Sequence, residues 1–258
     1  MKFDELDRRM RLFETASDQC ALPGIHTVAR LDGRGFTQLT RKVHRFEAPF
    51  DVRFRDLMVS TAEHLMTVCG FRIIYGYTQS DEISLLFHRG EDSFGRKLRK
   101  YISVLAGEAS AKFSLQLGSA ASFDCRVSQL PLTEYVCDYF RWRAEDAHRN
   151  CLNGHCYWML RSRGHAAQEA SSLLYKMPVS DKNDLLLSGG IDYNDLPAWQ
   201  RRGTGLFRET CQVEGRNPHT GQTAVACRRR LKVEFELPEK DLYSDFIVRL
   251  MGASHPDE

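Results

Sequence analysis

Residues 71–88, "FRIIYGYTQSDEISLLFH", hold two apolar runs separated only by the polar "QSD". Runs this short, joined by so few residues, resolve as an antiparallel hairpin with strands over 71–78 and 82–88. With that hairpin placed, its neighbours follow. Residues 52–69 carry apolar side chains near helical spacing and stop at Gly70. Residues 94–117 read as a second helix, with Tyr101, Val104, Leu105 and Phe113 as core candidates. Strands over 25–32 ("IHTVARLD") and 122–129 ("SFDCRVSQ") flank the set. The order is βαββαβ, the ferredoxin-like split unit of an α+β fold. It predicts a four-stranded antiparallel sheet with both helices on one face and the other face free for a ligand.

After "LPL" at 130–132 the pattern changes. A helix is expected over 133–163, another after 164, then a Gly-rich loop and a β-hairpin over 205–237 turning at "NPHTG". The expected division is a catalytic domain at 1–130 and a helix-rich region with a C-terminal hairpin at 131–258.

Composition narrows the class. The chain of 258 residues is 42% hydrophobic, enough for a sizeable core. It has no apolar run of about 18 residues, and "MKFDELDRRMRLFE" has no signal-peptide core, so a cytoplasmic protein without a membrane partner is expected. Its eight cysteines should then be reduced thiols. His148, Cys151, His155 and Cys156 crowd into "HRNCLNGHC", whereas structural zinc sites join two separated pairs, so a zinc knuckle is not expected. A net charge of +2 permits a nucleic-acid partner without demanding one. Clusters such as "RKLRK" (96–100) and "RWR" (141–143) read singly as solvated faces.

Two acids stand out against this frame. Asp32 ends the first strand and Asp81 sits at the hairpin tip, so the topology aims both carboxylates into one volume. Close, unpaired carboxylates repel unless a cation neutralises them. Magnesium suits such a pair, and two ions on shared aspartates can clamp a phosphoryl displacement. The Gly33 carbonyl can reach an ion, and the amides of Gly33, Arg34 and Gly35 can approach phosphate. Glu82 has opposite strand parity to Asp81 and is expected to support the catalytic pair from behind it. Lys97 and Lys100, three residues apart on the second helix, could grip a triphosphate or an RNA 5′ end.

At these residues the chain resembles the tRNA(His) guanylyltransferase-like proteins, the reverse-direction (3′-to-5′) polymerases. The matching stretches are "RLDGRGF" (30–36), "YGYTQSDEISLLF" (75–87), "FDCRV" (123–127), "DYFRWRAEDAHRN" (138–150), "DKNDLLL" (181–187) and "IDYNDLP" (191–197), collinear over roughly 25–205. The resemblance implies a polymerase-like palm holding two magnesium ions through Asp32, the Gly33 carbonyl and Asp81. It implies nucleotide binding through Asp32, Gly33, Arg34, Gly35, Phe36 and Thr37, with Ser80 and Asp81. It places Lys97, Lys100 and Arg126 at triphosphate or the tRNA 5′ end, and His148, Asn150 and Lys182 in RNA-end and nucleotide-recognition motifs. The implied chemistry is adenylylation of a tRNA 5′-monophosphate by ATP, then displacement of AMP by the 3′-hydroxyl of a nucleotide, typically GTP. The implied assembly is a homotetramer.

The chain departs from the eukaryotic members in two places. It reads "HRNCLNG" (148–154) where they have "HINNLYN", and "APFD" (48–51) where they have Lys-Pro-Asn-Asp, so Ala48 replaces a lysine. These changes resemble the bacterial and archaeal like proteins, so template-dependent repair of 5′-truncated tRNA is the expected activity. A dedicated tRNA(His) guanylyltransferase adding G at position −1 is the alternative. A nucleotidyl cyclase with a palm fold is third, and a non-catalytic RNA-binding module ranks last.

Overall fold

The computed structural model of the chain describes residues 2–216 and 223–253. In chain order the elements are α1 (Phe3–Thr15), β1 (His26–Gly33), a short α2 (Phe36–Gln38), α3 (Val52–Thr67), β2 (Ile73–Gln79), β3 (Glu82–Phe87), α4 (Leu98–Leu117) and β4 (Phe123–Leu130). They continue with α5 (Thr133–Ser162), α6 (Ala167–Leu174), α7 (Val179–Leu187), α8 (Ala198–Arg202), β5 (Thr204–Arg216), β6 (Thr223–Glu234) and α9 (Lys240–Ala253). The expected βαββαβ order is present, and β4-β1-β3-β2 are neighbours in the antiparallel sheet.

The sheet is larger than the sequence suggests. It has six strands, because β5 pairs with β2 from Tyr75↔Phe207 to Thr78↔Thr204 and β6 pairs with β5. The expected late hairpin therefore extends the sheet, while its "NPHTG" turn lies outside the described residues. Nor is the second face free. Leu31, Ile83 and Leu85 pack on α3 and α4 through Leu65, Leu105 and Phe113. On the opposite face Val28, Tyr75, Tyr77 and Leu86 meet Phe140 of α5 and Tyr243 and Phe246 of α9. The physical reason is Tyr75 and Tyr77: two large rings side by side on one strand require a cover, and both are at most 1% exposed. Ligand space is thereby confined to one end of the sheet.

Two local features set that end. Asp51 caps α3, accepting from the amides of Glu47 and Arg53 at 2.7 Å each. The Arg53 guanidinium beside it holds its carboxyl down to about 2. Residues 94–96 are not helical, since Phe94, Gly95 and Arg96 all take positive φ, and α4 begins only at Leu98. Among the described residues no helix is long and apolar enough to cross a membrane.

Candidate active site

The register of β1 on β3 sets Asp32 opposite Glu82, and β2 on β3 sets Gln79 opposite Glu82. Ser80 and Asp81 are thus the whole turn of a two-residue hairpin. Such turns want a positive φ that glycine supplies freely, and here Ser80 adopts it at 52°. The Gly33 amide donates to the Asp81 carbonyl at 3.0 Å, lashing the hairpin tip to the end of β1. Asp32 and Asp81 are brought together at one end of the sheet. Burial, and then the nearby Asp32 charge, push the Asp81 carboxyl above its ordinary range, opposed by its hairpin bonds, including the Ser80 hydroxyl at 3.1 Å. Arg126 on β4 also reaches the site, 3.9 Å from Asp32 and 3.3 Å from Asp124. One guanidinium divided between two acids leaves the Asp32–Asp81 pair short of positive charge. Hard oxygen donors in that condition suit a divalent cation such as magnesium.

Not every expectation for the Gly-rich segment holds. The amide of Gly33 is spent on Asp81 and that of Arg34 on the Ser122 carbonyl at 2.9 Å, so neither faces a phosphate. Gly33 is required for a different reason: a Cβ there would lie 2.5 Å from the Phe36 ring. Arg34 and Gly35 line a hollow beside Ala120 and Ser122, while Phe36 and Thr37 turn into a cavity next to Asp81.

Glu82 shares the sheet face of Asp32, since cross-strand partners point the same way. It accepts from Arg143 of α5 at 2.7 Å and lies 3.9 Å from Arg30. Its carboxyl is pushed up by burial, against the pull of Arg143 and Arg30. Arg143 is buried, with its guanidinium 3.7 Å from the Trp142 ring centre. The cluster "RWR" is therefore a solvated face only in part. Its third residue is the internal counter-charge of Glu82, which charge counting alone does not reveal.

The hairpin tip divides two cavities, both of which include Gln79, Ser80 and Asp81. The first, of about 150 Å³, is a size that takes one aromatic ring. Its walls are Phe36, Phe46, Ala48, Phe50, Phe54 and Trp199. Aromatic residues at 46, 50 and 54 were a missed signal: their four-residue spacing runs from the irregular segment before α3 into its first turn. The second, of about 410 Å³, is polar and opens toward α5, with Arg30, Asp32, Trp142, Arg143 and Asn150 around it.

The remaining candidates do not gather here. Because α4 runs back along β3, its start lies at the opposite end of the sheet, where Leu98 bonds the Gln19 carbonyl and Cys20 pairs with Lys97. Lys97 precedes the helix and is held by Asp18 at 3.1 Å. Lys97 and Lys100 are thus separated from Asp81 by roughly the length of a 20-residue helix, about 30 Å. His148 and Asn150 lie two positions apart on α5 and so face apart. Asn150 joins the polar cavity, whereas His148 bonds the Tyr193 hydroxyl at 3.0 Å in a separate cavity with Asn183 and Arg201. The Lys182 carbonyl accepts from the Cys156 thiol, and the residue lines neither cavity at Asp81. Within "HRNCLNGHC", His148 and Cys151 both bond the Tyr193 hydroxyl, His155 bonds Gln200, and Cys156 donates to the Lys182 carbonyl.

Comparison with known proteins agrees with this geometry. The family model described as tRNAHis guanylyltransferase matches residues 7–131, and that described as Thg1 C terminal domain matches residues 134–242. A probable tRNA(His) guanylyltransferase of Drosophila melanogaster is 34% identical over 203 residues, covering 74% of this chain and 70% of that one. A solved bacterial tRNA(His) guanylyltransferase (Thg1)-like protein in complex with ATP superposes with a TM-score of 0.74 at 25% identity, over 95% of this chain and 98% of that one. A bacterial Thg1-like protein in complex with GTP superposes at 0.73, with 25% identity, over 98% of this chain and all of that one. With both halves matched in order and the two acids converging at the sheet end, the chain belongs to the tRNAHis guanylyltransferase family of nucleotidyltransferases.

Proposed function

We propose that this chain transfers guanylate to the 5′ end of tRNA(His). The observation that carries the reading is the shared Ser80–Asp81 tip: a ring-sized aromatic cavity on one side, a polar cavity on the other, and Asp32 beside it. The aromatic cavity takes the nucleotide base and the polar cavity admits the RNA end. In the first step a 5′-phosphate oxygen of the RNA attacks the α-phosphorus of ATP and pyrophosphate leaves. In the second the 3′-hydroxyl oxygen of GTP attacks the RNA 5′-phosphorus, AMP leaves, and the hydroxyl proton passes to solvent. Magnesium held by Asp32, Asp81 and the Gly33 carbonyl would supply the charge that steadies the attacking and leaving oxygens. Arg126 meets the RNA phosphate beside Asp32, Ser80 lies at the triphosphate, and Glu82 with Arg143 keeps the hairpin tip in register. Chemistry falls to residues 1–130 and much of the hold on tRNA to residues 131–258.

Support for adding G, rather than repairing truncated tRNA, comes from the relatives compared above, which are guanylyltransferases or guanylyltransferase-like proteins. One observation favours repair as a second reading: Ala48, where eukaryotic members carry a lysine, forms part of the aromatic wall, so one base-reading group is missing from the cavity. The test is nucleotide addition to tRNA(His) lacking the extra 5′ nucleotide, with each of the four bases standing opposite. The guanylyltransferase reading expects G throughout. Addition of the complement in every case would replace it with the bacterial-type repair reading.

A further inference from the structure

On the helical side of the sheet, away from Asp32 and Asp81, three side chains converge that the proposed reaction does not use. His64, in the last turn of α3, places Nε2 2.7 Å from Oε2 of Glu108 on α4. Cys69 follows the end of α3, and Gly70 at φ 76° turns the chain so that the Cys69 thiol lies 3.9 Å from the His64 carbonyl. The three ligand-capable atoms all lie within 4.8 Å of one another. Cys69 is a buried free thiol, whereas the Glu108 side chain is 44% exposed, so the cluster has a dry side and an open one.

Imidazole, thiolate and carboxylate together are a ligand set for a borderline-soft divalent cation, zinc above all. An ion pair of His64 with Glu108 explains two of the three groups and gives the sulfur no role. The thiol donates one long bond to the His64 carbonyl, while its sulfur lies within 4.8 Å of both other ligand atoms. Metal–ligand bonds of about 2.0–2.3 Å set tetrahedral donors roughly 3.3–3.8 Å apart. The closest donors must open by about half an ångström and the widest close by about one. The exposed Glu108 side chain is free to open its 2.7 Å contact with His64. We propose that His64, Cys69 and Glu108 form a zinc-class cation site with water as the fourth ligand, bracing the end of α3 against α4. The site does not rest on the reaction proposed above, and its spacing along the chain matches no zinc motif.

The test uses the full chain carrying Asp32→Ala and Asp81→Ala, so that the active-site carboxylates do not contribute. Equilibrium dialysis against zinc should give about one ion per chain, and Cys69→Ser or His64→Gln in that background should weaken binding by at least about tenfold. Unchanged affinity in both would overturn the site. Should either substitution impair folding, cobalt added to the unsubstituted background decides alone. A sulfur-to-cobalt charge-transfer band that survives alkylation of the exposed thiols Cys20 and Cys227 supports the site, and a cobalt complex without that band overturns it.

Discussion

At the scale of single residues, the two aspartates were legible because both sit where strands end, and a strand end is visible in the sequence. Replacing Asp32 or Asp81 by Ala should lower nucleotide addition on the order of a thousandfold with the fold intact, since charge stabilisation of several kcal/mol is lost. Single-turnover rates with circular dichroism check this, and a variant within tenfold of the parent would refute the assignment. Arg143 was not legible. Its partner Glu82 lies 61 positions away in sequence, and only the packing of α5 on the sheet brings them together. Arg143→Ala strands a mostly buried carboxylate and should cost about 3 kcal/mol in urea denaturation. Adding Glu82→Gln should return part of that loss, because the stranded charge is gone. A double variant no more stable than Arg143→Ala would show that the pair is not the reason.

Elements were read well where a periodic run ended in a turn signal, as at Gly70 and in the hairpin around Asp81. The start of α4 was misread by four residues because Phe94 lies in step with Leu98 and Tyr101 at helical spacing, whereas Phe94, Gly95 and Arg96 take left-handed conformations. That shift, with the direction of α4 along β3, moved Lys97 and Lys100 from the expected site to the other end of the sheet. The cap on α3 makes a prediction that depends on pH. The Asp51 carboxyl is held near 2 in the folded chain and returns to about 3.9 when unfolded. Its contribution is therefore present above about pH 4 and is lost as pH falls through about 2. With Arg53 largely exposed, the Coulomb part is screened, so Asp51→Asn should cost about 1–2 kcal/mol at pH 7. Denaturation at pH 7 and again near pH 2.5 should show the gap between parent and variant narrowing; a gap independent of pH would mean that the Asp51 charge does no stabilising.

For the whole molecule, the βαββαβ order was legible, and the cover on its second face was not. The order is written in local periodicity, whereas the cover depends on Tyr75 and Tyr77 meeting α9, more than 160 residues later, with the two hydroxyls of Tyr75 and Tyr243 2.9 Å apart. We propose a homotetramer, as the resemblance implies. Phe3 and Phe13 of α1 and Leu115 of α4 are at least 71% exposed in the single chain and are available for a neighbouring protomer to cover. Sedimentation equilibrium should give roughly four times the 29.6 kDa chain mass, and a monomer at micromolar concentration would exclude this assembly. The pairing of β5 on β2 also has a consequence for synthesis. The outer edge of β2 is complete at Gln79, but its partner strand begins only at Thr204. At about 5–20 residues per second, a ribosome leaves that edge bare for some 6–25 s. During this window the emerging chain carries an unpaired strand whose Tyr75 still lacks its α9 cover, so nascent chains arrested before residue 200 should be the form that holding chaperones retain.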